Sequence, residues 1–178
     1  MIWARAAALV ATGMALCVLT YAEEPGSEFL IIQAADSDIG VLEPQGWRGQ
    51  LNGENTAFCR STESLDHAST LITVQVETKL EKKASDNFEI MIANYRERFP
   101  DLESTSLDIS HFEYRSEGRL FKVPSQFYEY VVYVNPKKRG PLLLRVAMNT
   151  GDHLATQEEL TAFTLVVRSL VLLSGDRR

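Results

Sequence analysis

Three histidines, two cysteines and several adjacent carboxylates are the residues of this chain that could carry chemistry. His67, His111 and His153 stand on three separate segments. None of them sits in the H-x-x-x-H or H-E-x-x-H spacing that would put two imidazoles on one helix face for zinc, so each reads as a surface or turn histidine. Asp36 and Asp38 open like a calcium loop, but Val41 follows and no glutamate stands at the bidentate position, so the pair reads as a solvated turn. No G-x-S-x-G turn and no glycine-rich phosphate loop occur. Cys59, between Phe58 and Arg60 on a predicted strand, reads as a small buried hydrophobe. Glu158 and Glu159 fall in the first turn of a predicted helix, where negative charge suits the dipole. These residue types in these positions point to no catalytic centre, no metal and no cofactor.

One charged cluster has a different character. Lys137, Lys138 and Arg139 are consecutive at the tip of the longest predicted hairpin, in a chain whose net charge is −6. They form a local positive field and a candidate contact for an anionic partner or a membrane surface. The alternative is a solvated tip whose charges keep a sheet end from pairing with neighbours.

The elements that must position these groups follow from periodicity. In residues 127–149 Tyr128, Tyr130, Val132 and Val134 are set to face Leu142, Leu144, Val146 and Met148 across a Pro/Gly turn. One face of that hairpin is predicted to be buried almost throughout and the other, carrying Glu129 and Arg145, only in part. Strands are predicted at 29–33, 41–47 and 71–77, with a hairpin about Asn52-Gly53 and a turn at Asp36–Gly40. A further strand is read at 105–115, with Glu117-Gly118 as the turn after it and Pro124 at an edge or bulge. A first helix starts at a capping box on Asp86 and Glu89, carries Phe88, Met91, Ile92, Tyr95 and Phe99 on one side, and stops at Pro100. A second starts at the capping box Thr156–Glu159 and runs to about Ser169, and the tail from Ser174 frays. Together these give an α+β domain, a central antiparallel sheet with two main helices packed on it.

Residues 1–22 have the parts of a secretory signal: Arg5, an apolar run over 6–19, and Ala22 before the expected cleavage at Glu23. The alternatives are an uncleaved anchor and lipidation at Cys17, although Leu16 is larger than the residue such signals place before the cysteine. Cleavage removes Arg5 and takes the net charge from −6 to −7. It also leaves Cys59 without a partner for an internal disulfide. An acidic chain of this kind excludes nucleic acid as a partner, since that binding rests on neutralising phosphates. Residues 23–178 are the length of one domain.

The order of motifs carries a resemblance. Glu43-Pro44-Gln45-Gly46-Trp47, a hairpin, the strand Ile72-Thr73-Val74-Gln75-Val76, a helix, three strands and a last helix ending Phe163 to Arg168-Ser169-Leu170 resemble the PsbP-like and DcrB-like proteins. That resemblance implies a central antiparallel sheet sandwiched by helices. It also implies a non-catalytic partner protein, as in extrinsic photosystem subunits, envelope lipoproteins and a Ran-binding protein. The expectation is an exported, periplasmic or secreted domain that binds a protein partner or assists assembly of an envelope complex. The rival expectations are a carrier holding a small apolar ligand between the first helix and the sheet, and an enzyme without a familiar motif. N-terminal sequencing of the protein recovered from its producing cell is expected to read Glu23. Palmitate incorporation abolished by Cys17→Ala would instead establish the lipoprotein.

Overall fold

A computed structural model describes residues 29–34, 37–52, 54–77, 84–136 and 142–173. In chain order the elements are β1 (Phe29–Ala34), β2 (Ser37–Leu42), β3 (Trp47–Asn52), β4 (Asn55–Arg60), β5 (Leu71–Glu77), α1 (Ala84–Arg98), β6 (Glu103–Ser106), β7 (Arg115–Val123), β8 (Phe127–Asn135), β9 (Leu143–Asn149), α2 (Gln157–Ser169) and β10 (Val171–Leu173). The fold is α+β. Its main sheet has seven strands, all antiparallel to their neighbours, in the order β3-β4-β5-β9-β8-β7-β6. A second sheet of order β1-β2-β10 accompanies it, so the single sheet expected from the sequence is divided in two.

The β8–β9 pair has the even-to-even register that its alternation requires, with Val134 opposite Leu144, Val132 opposite Val146 and Tyr130 opposite Met148. These side chains share a core with Ala162, Phe163, Val166, Val167 and Leu170 of the α2 segment and with Ile32, Ile39 and Val41 of the small sheet. The odd positions are drier than expected. Val131, Tyr133, Leu143 and Ala147 are buried because α1 lies on that face, adding Phe88 and Ile92 to a second core. The predicted apolar stripe of α1 does face the sheet, in edge-to-face contacts such as Phe88–Tyr133 at 4.9 Å and Tyr95–Phe121 at 5.5 Å. These rings line the seat at which the rival expectation places a small apolar ligand. Trp47 opens β3 and is buried, with the Arg60 guanidinium 5.7 Å from its ring centre.

Several boundaries differ from expectation, each for a tertiary reason. Residues 105–115 are not one strand: β6 ends at Ser106, an irregular segment follows, and β7 begins at Arg115. Gly118 is no turn residue but lies inside β7 opposite Val132, where a Cβ would come within 3.0 Å of the Leu107 carbonyl oxygen. The turn falls at Pro124–Gln126 instead, closed by Gln126 N–H donating to Val123 O at 3.0 Å, with Ser125 at φ 60°. Ser37 to Gly40 belong to β2 and not to a turn. The first helix begins at Ala84, so Asp86 lies within its first turn and is not its cap. The second helix ends at Ser169 as expected, but a strand not expected there follows it: Val171 starts β10, pairing with Gly40.

The second capping box is as read. Glu159 N–H donates to Thr156 Oγ1 at 3.3 Å, and Thr156 N–H donates to Glu159 Oε2 at 2.7 Å. Glu159 is buried, and its carboxylate also accepts from the Thr70 hydroxyl of the segment leading into β5. Burial alone would raise the carboxyl's pKa. The hydrogen bonds from Thr70 and Thr156, with His153 beside them, outweigh burial and hold it below the usual value of 4.5. Thr156→Ala is expected to lower stability by about 1 kcal/mol, read as a shift in urea midpoint. The contribution of the Glu159 carboxylate is complete above its unfolded pKa and is lost as pH falls through the lower folded value. Below pH 4.5 the protein should therefore lose stability on acidification, and Glu159→Gln should lose less over the same range in parallel urea titrations.

Candidate partner-binding site

The residues singled out by type do not converge. His67 is exposed in the short 3-10 turn Leu65–His67, and His153 lies in the loop before α2 with Nε2 at 3.5 Å from Glu159 Oε1. Cys59 is buried as expected, its Sγ 3.7 Å from the Glu63 carbonyl. Among the described residues no group of three His, Cys, Asp or Glu side chains is placed to hold a metal ion. Cys17, Ala22, Glu23, Asp36 and the tip cations Lys137, Lys138 and Arg139 lie outside the described residues.

Two polar arrangements that the sequence did not single out do form. The first is the α1 side of the main sheet. Arg145 donates to Glu129 Oε1 at 2.7 Å and to Gln75 Oε1 at 3.0 Å, while Tyr95 donates its hydroxyl to Glu129 Oε2 at 2.5 Å. A buried ion pair needs such extra hydrogen bonds to offset desolvation. Burial, and then the nearby Glu129 carboxylate, push the Tyr95 hydroxyl far up. Burial and then Glu77 raise Tyr133 to about 12. Burial also raises Glu77, against the opposing pull of Arg145. Both phenols therefore stay protonated at neutral pH and serve as donors. The cluster ties β5, β9, β8 and α1 together.

The second arrangement is the segment between β6 and β7. It is irregular, yet hydrogen bonds to its own backbone and to distant chain hold it in place. His111 Nδ1 accepts from Glu113 N–H and Tyr114 N–H, each at 3.0 Å, which assigns the ring proton to Nε2. Nε2 then donates to the carbonyl of Leu170, 2.9 Å away at the end of α2, where helix carbonyls lack intrahelical partners. Tyr114 stacks on that imidazole at 4.4 Å and accepts from Leu172 N–H at 3.2 Å through its hydroxyl. His111 is buried, contrary to the surface role read for it. Its target lies 59 positions away, which no local spacing reveals.

What this segment presents is Phe112. It is 66% exposed, and the Arg168 guanidinium sits 4.6 Å from its ring centre. Arg168 is itself steadied by Nε donating to the Ser110 carbonyl at 3.4 Å. A loop ring and an arginine of α2 are thus held together facing outward, the loop backbone being pinned on both sides of Phe112. Such a pair has little freedom still to lose on binding.

No protein-family model and no curated protein matches the chain. Solved structures do resemble it. A mutant of the protein Mog1 superposes with a TM-score of 0.51 at 12% identity, covering 82% of this chain and 95% of that one. The Saccharomyces cerevisiae Ran-binding protein Mog1p gives a TM-score of 0.49 at 11% identity, over 82% of this chain and 96% of that one. At such identity the likeness to the Mog1 mutant is one of fold: this chain has an architecture similar to that of Mog1 along most of the length of both.

Proposed function

We propose that residues 23–178 are an exported, non-catalytic cell-envelope domain that binds a protein partner, with Phe112 and Arg168 at the centre of the contact. The observation that carries this is the pinned loop: His111, Tyr114 and Arg168 together hold an exposed aromatic in place, although burial would be the ordinary fate of a phenylalanine. Aromatic and arginine side chains are the types that dominate interface energetics. Loops positioned by a rigid scaffold are where binding residues concentrate. Export rests on Arg5, the apolar run 6–19 and Ala22. The cations Lys137, Lys138 and Arg139 are where an anionic partner or membrane surface would meet an otherwise acidic chain. The resemblance to PsbP-like and DcrB-like proteins points to the same non-catalytic role. Ran is the partner named for yeast Mog1p and is not proposed for this chain.

The test compares wild type with Phe112→Ser in quantitative capture from native envelope extract, read by mass spectrometry. A specific partner enriched by wild type should be lost from the variant, at an unchanged melting temperature because the ring is mostly solvated. Identical partner sets from both proteins would remove the loop from the interface.

A further inference from the structure

Among the described residues the two sheets end in the edge strands β1, β10, β3 and β6, and of these only β1 lacks a device that blocks pairing. On β3, Gly49 N–H points outward and donates to Glu43 Oε2 at 2.5 Å, so a carboxylate sits where a pairing strand would lie. β10 is three residues long, and the outward Leu172 N–H is taken by the Tyr114 hydroxyl. β6 is four residues of Glu, Ser and Thr, with Glu103 paired to Lys122 at 3.1 Å. These are the ordinary devices that keep sheet edges from pairing.

β1 has none of them. Its six residues, Phe29-Leu-Ile-Ile-Gln-Ala34, include no charge, proline or glycine, and among the described residues no side chain hydrogen-bonds its backbone. On the outward face Phe29 is 46% and Ile31 44% exposed. The apolar surface crosses the whole small sheet: a Cβ at Gly40 would run into the Phe29 ring and come within 2.9 Å of Val171 Cγ2, so Phe29 reaches over Gly40 toward Val171.

We infer that β1 is a self-association edge, which pairs antiparallel with β1 of a second copy about a two-fold axis and joins two three-stranded sheets into one of six. A two-fold antiparallel pairing is self-complementary. It can set odd positions opposite odd positions, so that the Phe29 and Ile31 stripes of both copies meet on one face. The chain carries a net charge of −6, which opposes contacts between its acidic surfaces, and a strand without charge escapes that repulsion. These residues are separate from the Phe112 loop, so neither site depends on the other.

Sedimentation equilibrium of the protein as recovered from its producing cell tests this with three proteins. Wild type should show the mass of two chains, falling to one on dilution. Ile31→Lys sets like charges near each other across the new strand pair, and should weaken self-association by about tenfold or more while leaving the far-UV circular dichroism of the folded chain unchanged. Val171→Lys alters the same face on the opposite edge strand, β10, and should leave the dimer intact. A single-chain mass for wild type at every concentration would overturn the inference, as would a dimer indifferent to Ile31→Lys. Equal loss in both variants would mean face-to-face stacking in place of strand pairing, and overturn it too. A monomer that floats with phosphatidylcholine vesicles, and stops doing so in Ile31→Lys, would assign the strip to lipid and overturn it equally.

Discussion

The strands β8 and β9 are dry on both faces, and most of the remaining architecture follows from that constraint. A strand has only two faces, so a pair buried on each must be covered twice. α2 with the small sheet supplies one cover and α1 the other. Any polar side chain caught between the covers must then find its partners there, because water cannot serve it. Glu129 and Arg145 are caught in this way, and their bonds to each other, to Gln75 and to Tyr95 are the result. The same requirement operates at the start of α2, where the buried Glu159 carboxylate is satisfied by Thr70 and Thr156.

What could be read from the sequence was what local periodicity encodes. The even-to-even register of the central hairpin, the strict alternation of β5, the Asn-Gly hairpin and the Thr156 capping box each involve residues a few positions apart, and all are present. Failures occurred where distant chain decided the outcome. Leu107, Ile109 and His111 alternate as a strand would, but His111 is drawn to the Leu170 carbonyl, and the segment forgoes a ladder for that bond. Gly118 has the composition of a turn, and its lack of a side chain instead admits the backbone of Leu107. The small sheet was unreadable as a unit because β10 is too short to announce itself and joins β2 only through the fold.

The candidate site was the least legible part. Phe112 stands in the sequence as one more apolar residue in a mixed stretch, and its exposure becomes informative only once its neighbours are seen to be fixed. The three histidines and Cys59, whose residue types are the chemically suggestive ones, are separated or structural. Residue type is a poor guide to binding when the relevant property is restraint, since restraint is supplied by side chains elsewhere in the chain.

The small sheet has a consequence for the order in which the protein can become itself. Of the described strands β1 and β2 come first in the chain and β10 last, yet they share one sheet, and the Leu42 amide is bonded to the Ser169 hydroxyl 127 positions later. A hairpin of β1 and β2 can close early, but the core that Ile32, Ile39 and Val41 enter is completed only when Phe163, Val166 and Leu170 of the α2 segment join it. Contacts of such long sequence separation form late. The small sheet is therefore completed only once the chain has been made through Leu173, so its third strand docks onto a hairpin formed much earlier.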